Sequence, residues 1–135
     1  IRPTVAAEVA FAGAEWVALL AEAYGDLPAR PGATAVVEHT ATGGPDGEVS
    51  WWTAFVDGRL VDEGAGHHPD PTVTMTSPYT LATRLATGAA DPSAAFMQGR
   101  TKVGGDQAAL LRVLALMATP EYRTASGVVA GRTRA

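Results

Sequence analysis

The segment that most constrains the fold is a nearly uncharged run close to the C-terminus. Between Gln107 and Thr119 the only charge is that of Arg112, while leucine, valine and methionine side chains occupy most of a helical circumference. Asp106 is suited to cap such a helix, and Pro120 is suited to end it. A helix that is apolar on several sides must be covered on several sides, either by other parts of the protein or by a bound molecule.

Two interpretations of this helix stay open on the residues alone. It can lie in the core, between a sheet and the first helix, as apolar helical stripes commonly do. It can also form one wall of a ligand cavity. Three methionines, Met75, Met97 and Met117, together with Phe96, suit such a wall because flexible thioethers adapt to irregular apolar shapes. The methionines by themselves do not decide between the two interpretations.

The first half of the chain predicts one helix and three strands. An amphipathic helix is expected in AEWVALLAEAY, where large apolar side chains recur at helical spacing. Three antiparallel strands are expected in TAVVEHT, EVSWWTAFV and RLVDEGA. Asp57 and Gly58, which lie between the last two strands, form a hairpin signal because both central turn residues need positive φ.

The second half predicts two more strands with short helices between them. In TVTMT, Val73 and Met75 alternate with threonines, which is typical of a half-buried fourth strand. Ser77 as N-cap and Pro78 at the first position predict a short helix that ends at Gly88. The same pattern in DPSAAFMQG predicts a second short helix, and RTKV predicts a fifth strand before the apolar helix. The arginine-containing tail that follows is expected to be a short solvated terminus.

Composition and charge exclude several classes of function. A chain of 135 residues with 47% hydrophobic and 18% charged residues can bury a core, so one domain over residues 1–135 is expected. The net charge of −4, with only ten scattered lysines and arginines, argues against binding to nucleic acid or to an anionic membrane surface.

The sequence does not predict membrane insertion or secretion. No apolar run approaches the roughly 20 residues that span a bilayer, so stable membrane insertion is not expected. There are no cysteines, and the start IRPTVAAEVAF lacks the features of a signal peptide. A cytoplasmic location is therefore expected.

Residues 69–117 carry an ordered set of motifs that resembles a known family. PDPTVTMTSPYTLATRLATGAADPSAAFMQGRTKVGGDQAALLRVLALM contains a threonine-rich strand, a short helix, a glycine followed by DP..AFMQG, a Gly-Asp pair and a leucine-rich helix. This order resembles the sterol carrier protein type two domain, the nonspecific lipid-transfer fold. The upstream RPGATAVVEHT and VSWWTAFVDGRLV are similar to the family's first hairpin. The resemblance thus covers a core at residues 11–120 and leaves ends that are expected to be flexible.

The resemblance implies an α+β fold in which a five-stranded, mostly antiparallel sheet has helices packed on one face and an apolar tunnel lies between the layers. It implies a non-catalytic carrier of a hydrophobic small molecule, namely a sterol, a fatty acid or a fatty acyl-CoA, with no metal and no cofactor. In the family, the wall comes from the inner face of the sheet and from the helices that follow the fourth and fifth strands. The implied ligand-binding residues are Val73, Met75, Leu81, Leu85, Phe96, Met97, Gln98, Leu110, Leu114 and Met117.

The second strand adds one of two sets to this wall, because side chains alternate between the faces of a strand. The sets are Trp51, Thr53 and Phe55, or Ser50, Trp52, Ala54 and Val56. We favour Trp51 and Phe55 as ligand-binding residues.

Other functions stay open beside the carrier. His67, His68 and Asp70 are the candidates for a metal site or a general base, in an enzyme or accessory protein that handles a hydrophobic intermediate. Adjacent histidines point in different directions and a catalytic zinc site needs three protein ligands, so a solvated loop is expected instead. His39 is expected to be a rim residue and not a titrating base. A structural module with a filled core is a further alternative, and the oligomeric state is not predicted.

Overall fold

The computed structural model describes residues 8–134. In chain order the elements are β1 (Val9–Ala10), α1 (Ala14–Tyr24), β2 (Ala35–Gly44), β3 (Gly47–Val56), β4 (Arg59–Ala65), β5 (Val73–Pro78), α2 (Tyr79–Ala86), α3 (Pro92–Met97), β6 (Lys102–Gly105), α4 (Gln107–Met117), α5 (Pro120–Gly131) and β7 (Thr133–Arg134). None of the helices in this part of the chain has the length and apolar character needed to cross a bilayer. The predictions about the first residues, a missing signal peptide and a flexible N-terminal end, fall on residues 1–7 and lie outside the described residues.

Five strands form one sheet in the order β4-β3-β2-β5-β6. Neighbouring strands are antiparallel except β2 and β5, which run parallel. The turn between β3 and β4 has positive φ at both Asp57 (48°) and Gly58 (84°), which confirms the predicted hairpin. The helices pack on the sheet face that carries Val37, Trp51 and Phe55. The predicted α+β fold with a mostly antiparallel five-stranded sheet is confirmed.

The predicted caps of two helices are present and one is absent. Asp91 accepts a hydrogen bond from the Ala94 N–H at 2.9 Å, and Asp106 accepts one from the Ala109 N–H at 3.1 Å. The prediction that Ser77 caps α2 is wrong, because Ser77 belongs to β5 and its buried hydroxyl lies 3.0 Å from that of Thr101.

The fifth strand begins at Lys102, two residues later than predicted. The backbone N–H groups of Arg100 and Thr101 both donate to the carbonyl of Ala95, so these two residues still wrap the C-terminal end of α3. The extended conformation can begin only after this wrap.

Two hydrophobic clusters lie side by side on the inner face of the sheet. We call the first the aliphatic cluster; its buried members are Ala35, Val37, Val73, Met75, Ala109, Leu110, Val113 and Leu114. We call the second the aromatic cluster; it contains Phe11, Trp16, Leu20, Tyr24, Trp51, Phe55, Ala82, Ala125 and Val129 among its buried members. Residues of α4 supply much of the aliphatic cluster, whereas α1 and α5 cover the aromatic cluster.

The solvated C-terminal tail that the sequence predicts is wrong. Pro120 ends α4 but also begins α5, whose first turn is capped by the Thr119 hydroxyl, an acceptor for the Tyr122 N–H at 3.2 Å. Ala125 and Val129 of α5 are buried in the aromatic cluster. Beyond α5, β7 pairs with β1, and the Trp16 indole donates to the Thr133 hydroxyl at 3.0 Å. The C-terminal segment is therefore part of the core.

Candidate functional site

A cavity of about 150 Å³ lies inside the aromatic cluster, between the sheet and helices α1, α2 and α5. Most of its lining is apolar or aromatic. Its lining residues are Phe11, Trp16, Leu20, Tyr24, His39, Thr40, Trp51, Thr53, Phe55, Met75, Ser77, Ala82, Leu85, Ala86, Pro92, Thr101, Met117, Tyr122 and Ser126. A largely apolar concavity with a few convergent polar groups is the usual form of a small-molecule site.

Three rings at the end of the cavity near α1 hold each other at steep angles. Phe11 meets Trp16 at 5.0 Å between ring centroids and Trp51 at 5.4 Å, and Trp16 meets Trp51 at 5.1 Å, all in edge-to-face geometry. Edge-to-face pairs are favourable contacts that fix the rings relative to one another. This arrangement leaves room beside the rings.

The polar groups of the cavity are uncharged. Ser77 and Thr101 pair through their hydroxyls, and the Tyr24 hydroxyl lies 2.8 Å from that of Ser126. The fourth strand in sheet order, β5, supplies Ser77 and β2 supplies His39. Among the described lining residues there is no lysine, arginine, aspartate or glutamate. The cavity therefore offers hydrogen bonds without offering a formal charge.

His39, which the sequence predicts at the rim, is a half-buried residue of this lining. Its ring stacks on Trp51, with 5.2 Å between centroids and an interplanar angle of 6°. Burial lowers the pKa of His39 to about 4, although the nearby Glu38 carboxylate acts in the opposite direction. Burial also raises the pKa of Tyr24 and of Tyr122 above that of an exposed tyrosine. All three groups are neutral near pH 7.

The mouth of the cavity is marked by lining residues that are only half-buried. Six of them come from the end of α2, the start of α3, the end of α4 and from α5, namely Leu85, Ala86, Pro92, Met117, Tyr122 and Ser126, and two more, His39 and Thr40, lie on β2. Just outside this ring, Arg123 of α5 and Asp91 at the start of α3 approach to 3.9 Å as an exposed ion pair. The mouth thus lies between α2, α3 and α5, with balanced charges beside it.

The structure brings together five of the predicted ligand-binding residues at the cavity: Trp51, Phe55, Met75, Leu85 and Met117. The predicted facing of β3 is confirmed, since Trp51, Thr53 and Phe55 are buried on the inner side while Val56 is 48% exposed. Met75 and Met117 also touch the aliphatic cluster, so they form the partition between the two clusters.

The other predicted residues lie away from the cavity lining. Val73, Leu110 and Leu114 are in the aliphatic cluster, where Leu110 and Val73 are completely buried. Phe96 is half-buried against the same cluster, and Leu81 is buried without lining the cavity. These positions favour the core interpretation for most of α4.

Met97 and Gln98 are on the outside of the protein. Met97 is 82% exposed, and Gln98 is exposed as the C-cap of α3. The expectation that Met97 contributes to an apolar ligand wall does not fit this position, because the buried residue of the short helix α3 is Ala95. Phe96 alone turns toward the aliphatic cluster.

Several lining residues were not among those predicted. Trp16, Leu20 and Tyr24 recur along one face of α1, and Tyr122 and Ser126 are four residues apart on one face of α5. The amphipathic spacing in α1 was visible in the sequence, although it pointed to a buried face and not to a cavity. Nothing in the small, mixed residues of α5 signalled a buried helix.

The candidate metal or base site in the loop after β4 has a different role. Glu38 accepts the His68 backbone N–H at 2.8 Å and lies 3.2 Å from the His67 ring. Desolvation alone would raise the pKa of Glu38, but these contacts with His68 and His67 outweigh it and lower the pKa. Within residues 8–134 no group of three or more histidine, aspartate or glutamate side chains could hold a metal ion. The loop is fastened to the sheet by Glu38.

Comparison with known proteins agrees with the fold. The structure of sterol carrier protein 2 superimposes with a TM-score of 0.71 at 14% identity, covering 89% of this chain and 99% of that one. Palmitated SCP2L2 from Aedes aegypti gives 0.59 at 14% identity, covering 78% and 89%. Domain 2 of the sterol carrier protein of Helicoverpa armigera gives 0.52 at 24% identity, covering 76% and 74%.

Sequence comparison assigns the family. No curated protein matches the chain significantly. The profile of the SCP-2 sterol transfer family, however, matches residues 13–118. This span runs from the start of α1 to the end of α4 and so contains the five-stranded sheet and most of the cavity lining. The chain therefore belongs to the SCP-2 sterol transfer family.

Proposed function

We propose that this protein binds a hydrophobic small molecule in the cavity of the aromatic cluster and carries it without changing it chemically. The observation that carries the proposal is the cavity itself, which is uncharged, mostly apolar and open between α2, α3 and α5. Membership of the SCP-2 sterol transfer family supports a lipid as the ligand class. The Aedes aegypti relative, whose structure was determined in palmitated form, supports an acyl chain or a similar apolar body.

The size of the cavity bounds the part of the ligand that is enclosed. A volume of about 150 Å³ is comparable to that of an engineered apolar cavity that accepts benzene. A longer molecule would extend through the mouth, along the half-buried Leu85, Ala86 and Met117. A ligand that hides about 300 Å² of apolar surface gains on the order of 7 kcal/mol before the entropic costs of binding.

The arrangement of titratable groups supports a carrier over an enzyme. Glu38 alternates with Val37 and His39 along β2, so its side chain and the attached His67 lie on the sheet face opposite the cavity. Nothing in the described cavity lining pairs a nucleophile with a charged base.

The location that we propose for this carrier is the cytoplasm. The absence of cysteine from the sequence accords with such a reducing compartment.

Native mass spectrometry of the purified protein tests the proposal. The wild type is expected to show a mass excess that moves into the organic phase on solvent extraction. Ala86→Trp places an indole at the mouth and should remove the excess, because Ala86 is a lining residue. Ala115→Trp is the matched control, since Ala115 is an exposed alanine of α4, and it should keep the excess. A carrier function is contradicted if the wild type neither carries a molecule nor binds an added apolar probe.

A further inference from the structure

We infer that His39 is the hydrogen-bonding group for the polar end of the ligand, and that this polar end is uncharged. The inference rests on the proposed function, because it concerns the same cavity. It assigns a specificity-determining residue and restricts the ligand to apolar molecules with a neutral hydroxyl or carbonyl group.

The first step is the unused hydrogen-bonding capacity of His39. Its Nε2 lies 3.5 Å from the Thr53 hydroxyl, at the long limit of a hydrogen bond. Its Nδ1 has no hydrogen-bond partner within residues 8–134. The other polar pairs of the lining, Ser77 with Thr101 and Tyr24 with Ser126, are short and mutually satisfied. Because its one hydrogen bond is long, His39 can gain a better partner from a ligand atom.

The second step is the position of the ring. Stacking on Trp51 fixes the plane of the imidazole, and Trp51 is itself held by Phe11 and Trp16. A fixed ring can direct a hydrogen bond without losing much side-chain freedom on binding. His39 pairs with Trp51 in the register of β2 and β3, in the central part of the sheet. The polar end of a ligand bound to it would therefore lie against the central strands of the sheet.

The third step is the charge that this position tolerates. The neutral imidazole can donate from one nitrogen and accept at the other, which suits a hydroxyl or a carbonyl. An ionised carboxylate would be buried without a cation, since the described lining contains no lysine or arginine. At the mouth, Arg123 is already opposed by Asp91. The cavity therefore selects against an anionic headgroup.

Three matched naphthyl compounds test this inference by equilibrium dialysis at pH 7. Naphthalene has no polar group, 2-naphthol has a neutral hydroxyl and 2-naphthoate has a carboxylate. The wild type is expected to bind 2-naphthol about five-fold more tightly than naphthalene, the effect of one net hydrogen bond. It is expected to bind 2-naphthoate at least about ten-fold more weakly than 2-naphthol, because the charge is buried unpaired.

The variant His39→Phe separates recognition from a merely structural role. It keeps an aromatic ring beside Trp51 and removes both nitrogens. With the affinity for naphthalene of the same variant as the reference, the advantage of 2-naphthol over naphthalene should disappear. His39→Gln, which restores a donor and an acceptor, should recover part of that advantage.

The outcomes distinguish this inference from the proposed function. If naphthalene binds and 2-naphthol has no advantage, or His39→Phe retains that advantage, the inference is overturned and the carrier function stands. A second result that overturns the inference is that 2-naphthoate binds as tightly as 2-naphthol and that Arg123→Gln weakens the binding of 2-naphthoate. The carboxylate would then be bound by a cation at the mouth and not by His39. If none of the three compounds binds the wild type, the inference and the proposed cavity function both fail.

Discussion

The aliphatic and aromatic clusters share one sheet face, but the cavity described above lies in the aromatic cluster. In the aliphatic cluster, Val37, Val73 and Leu110 have no exposed surface and Val113 has 1%. Branched aliphatic chains of similar size interlock, so α4 closes tightly on β2 and β5. In the aromatic cluster, rings at steep angles and short serine and threonine side chains leave space. The difference teaches that α4 contributes mainly to stability, while α1 and α5 enclose most of the site.

The largest expected difference between the clusters comes from truncating one leucine in each. Leu110→Ala removes a completely buried side chain and should lower the free energy of unfolding by about 3–5 kcal/mol. Leu20→Ala removes a side chain that borders existing space and should cost at least about 1 kcal/mol less, since fewer contacts are lost. Urea denaturation of both variants checks this. Equal decreases in the free energy of unfolding for the two variants would contradict the description of the aliphatic cluster as filled and of the aromatic cluster as hollow.

The dependence of stability on pH should show a second difference between the clusters. A histidine lines the cavity of the aromatic cluster, whereas the aliphatic cluster contains no titratable group. The pKa of His39 is lowered to about 4 in the folded protein, whereas an unfolded histidine titrates near 6.5. Between these values the unfolded chain binds a proton that the folded chain does not. The free energy of unfolding should therefore fall by up to about 3 kcal/mol as the pH decreases from about 6.5 to about 4.

His39→Gln provides the comparison for this titration. Urea denaturation at several pH values should show that the variant loses less stability than the wild type over this range, because glutamine does not titrate. Parallel curves for the two proteins would show that His39 is not held neutral by its surroundings.

Enlarging an alanine in each cluster should give effects of opposite sign. Ala109→Leu adds volume to the filled aliphatic cluster, where Ala109 is 2% exposed, and should destabilise the protein by about 1–3 kcal/mol. Ala82→Leu adds the same volume beside the cavity and should be neutral or stabilising by up to about 1 kcal/mol. Thermal and urea unfolding measure both changes. A destabilisation by Ala82→Leu as large as that by Ala109→Leu would argue against an accommodating space.

The smallest expected effect concerns the mouth. Asp91→Asn keeps an N-cap on α3 but removes the ion pair with Arg123, so stability should change by less than about 0.5 kcal/mol. Dissociation of bound naphthalene should become about two-fold faster because α3 and α5 are less firmly linked. Asp106→Asn, which alters the cap of α4 over the aliphatic cluster, should leave that rate unchanged. Stopped-flow fluorescence measures the rate, and identical rates in both variants would contradict the location of the mouth.

Local patterns in the sequence predicted the turns, strand faces and helix caps of this molecule. The Asp57-Gly58 turn, the alternation that buries Trp51 and Phe55, and the caps at Asp91 and Asp106 each depend on a few neighbouring residues. The location of the cavity depends instead on contacts between distant parts of the chain. Tyr24 meets Ser126 across 102 positions in the sequence, and no local pattern reports such a contact.

Two features of α5 kept it from being predicted. A proline at position 120 is compatible both with the end of one helix and with the first residue of the next. The helix itself contains Ala125 and Val129 as its buried residues, too few and too small to produce a clear apolar period. Its burial therefore becomes visible only when α1 and the sheet are in place beside it.

The three methionines provide the most direct test of the account, because two of them line the cavity and the third lies outside it. Met75 and Met117 line the cavity, whereas Met97 is 82% exposed on α3. In protein labelled with ¹³C at the methionine methyl groups, NMR spectra recorded during a titration with naphthalene should show shifts for Met75 and Met117 while Met97 stays in place. A shift of Met97 alone, or no shift at saturating naphthalene, would contradict binding in the cavity of the aromatic cluster.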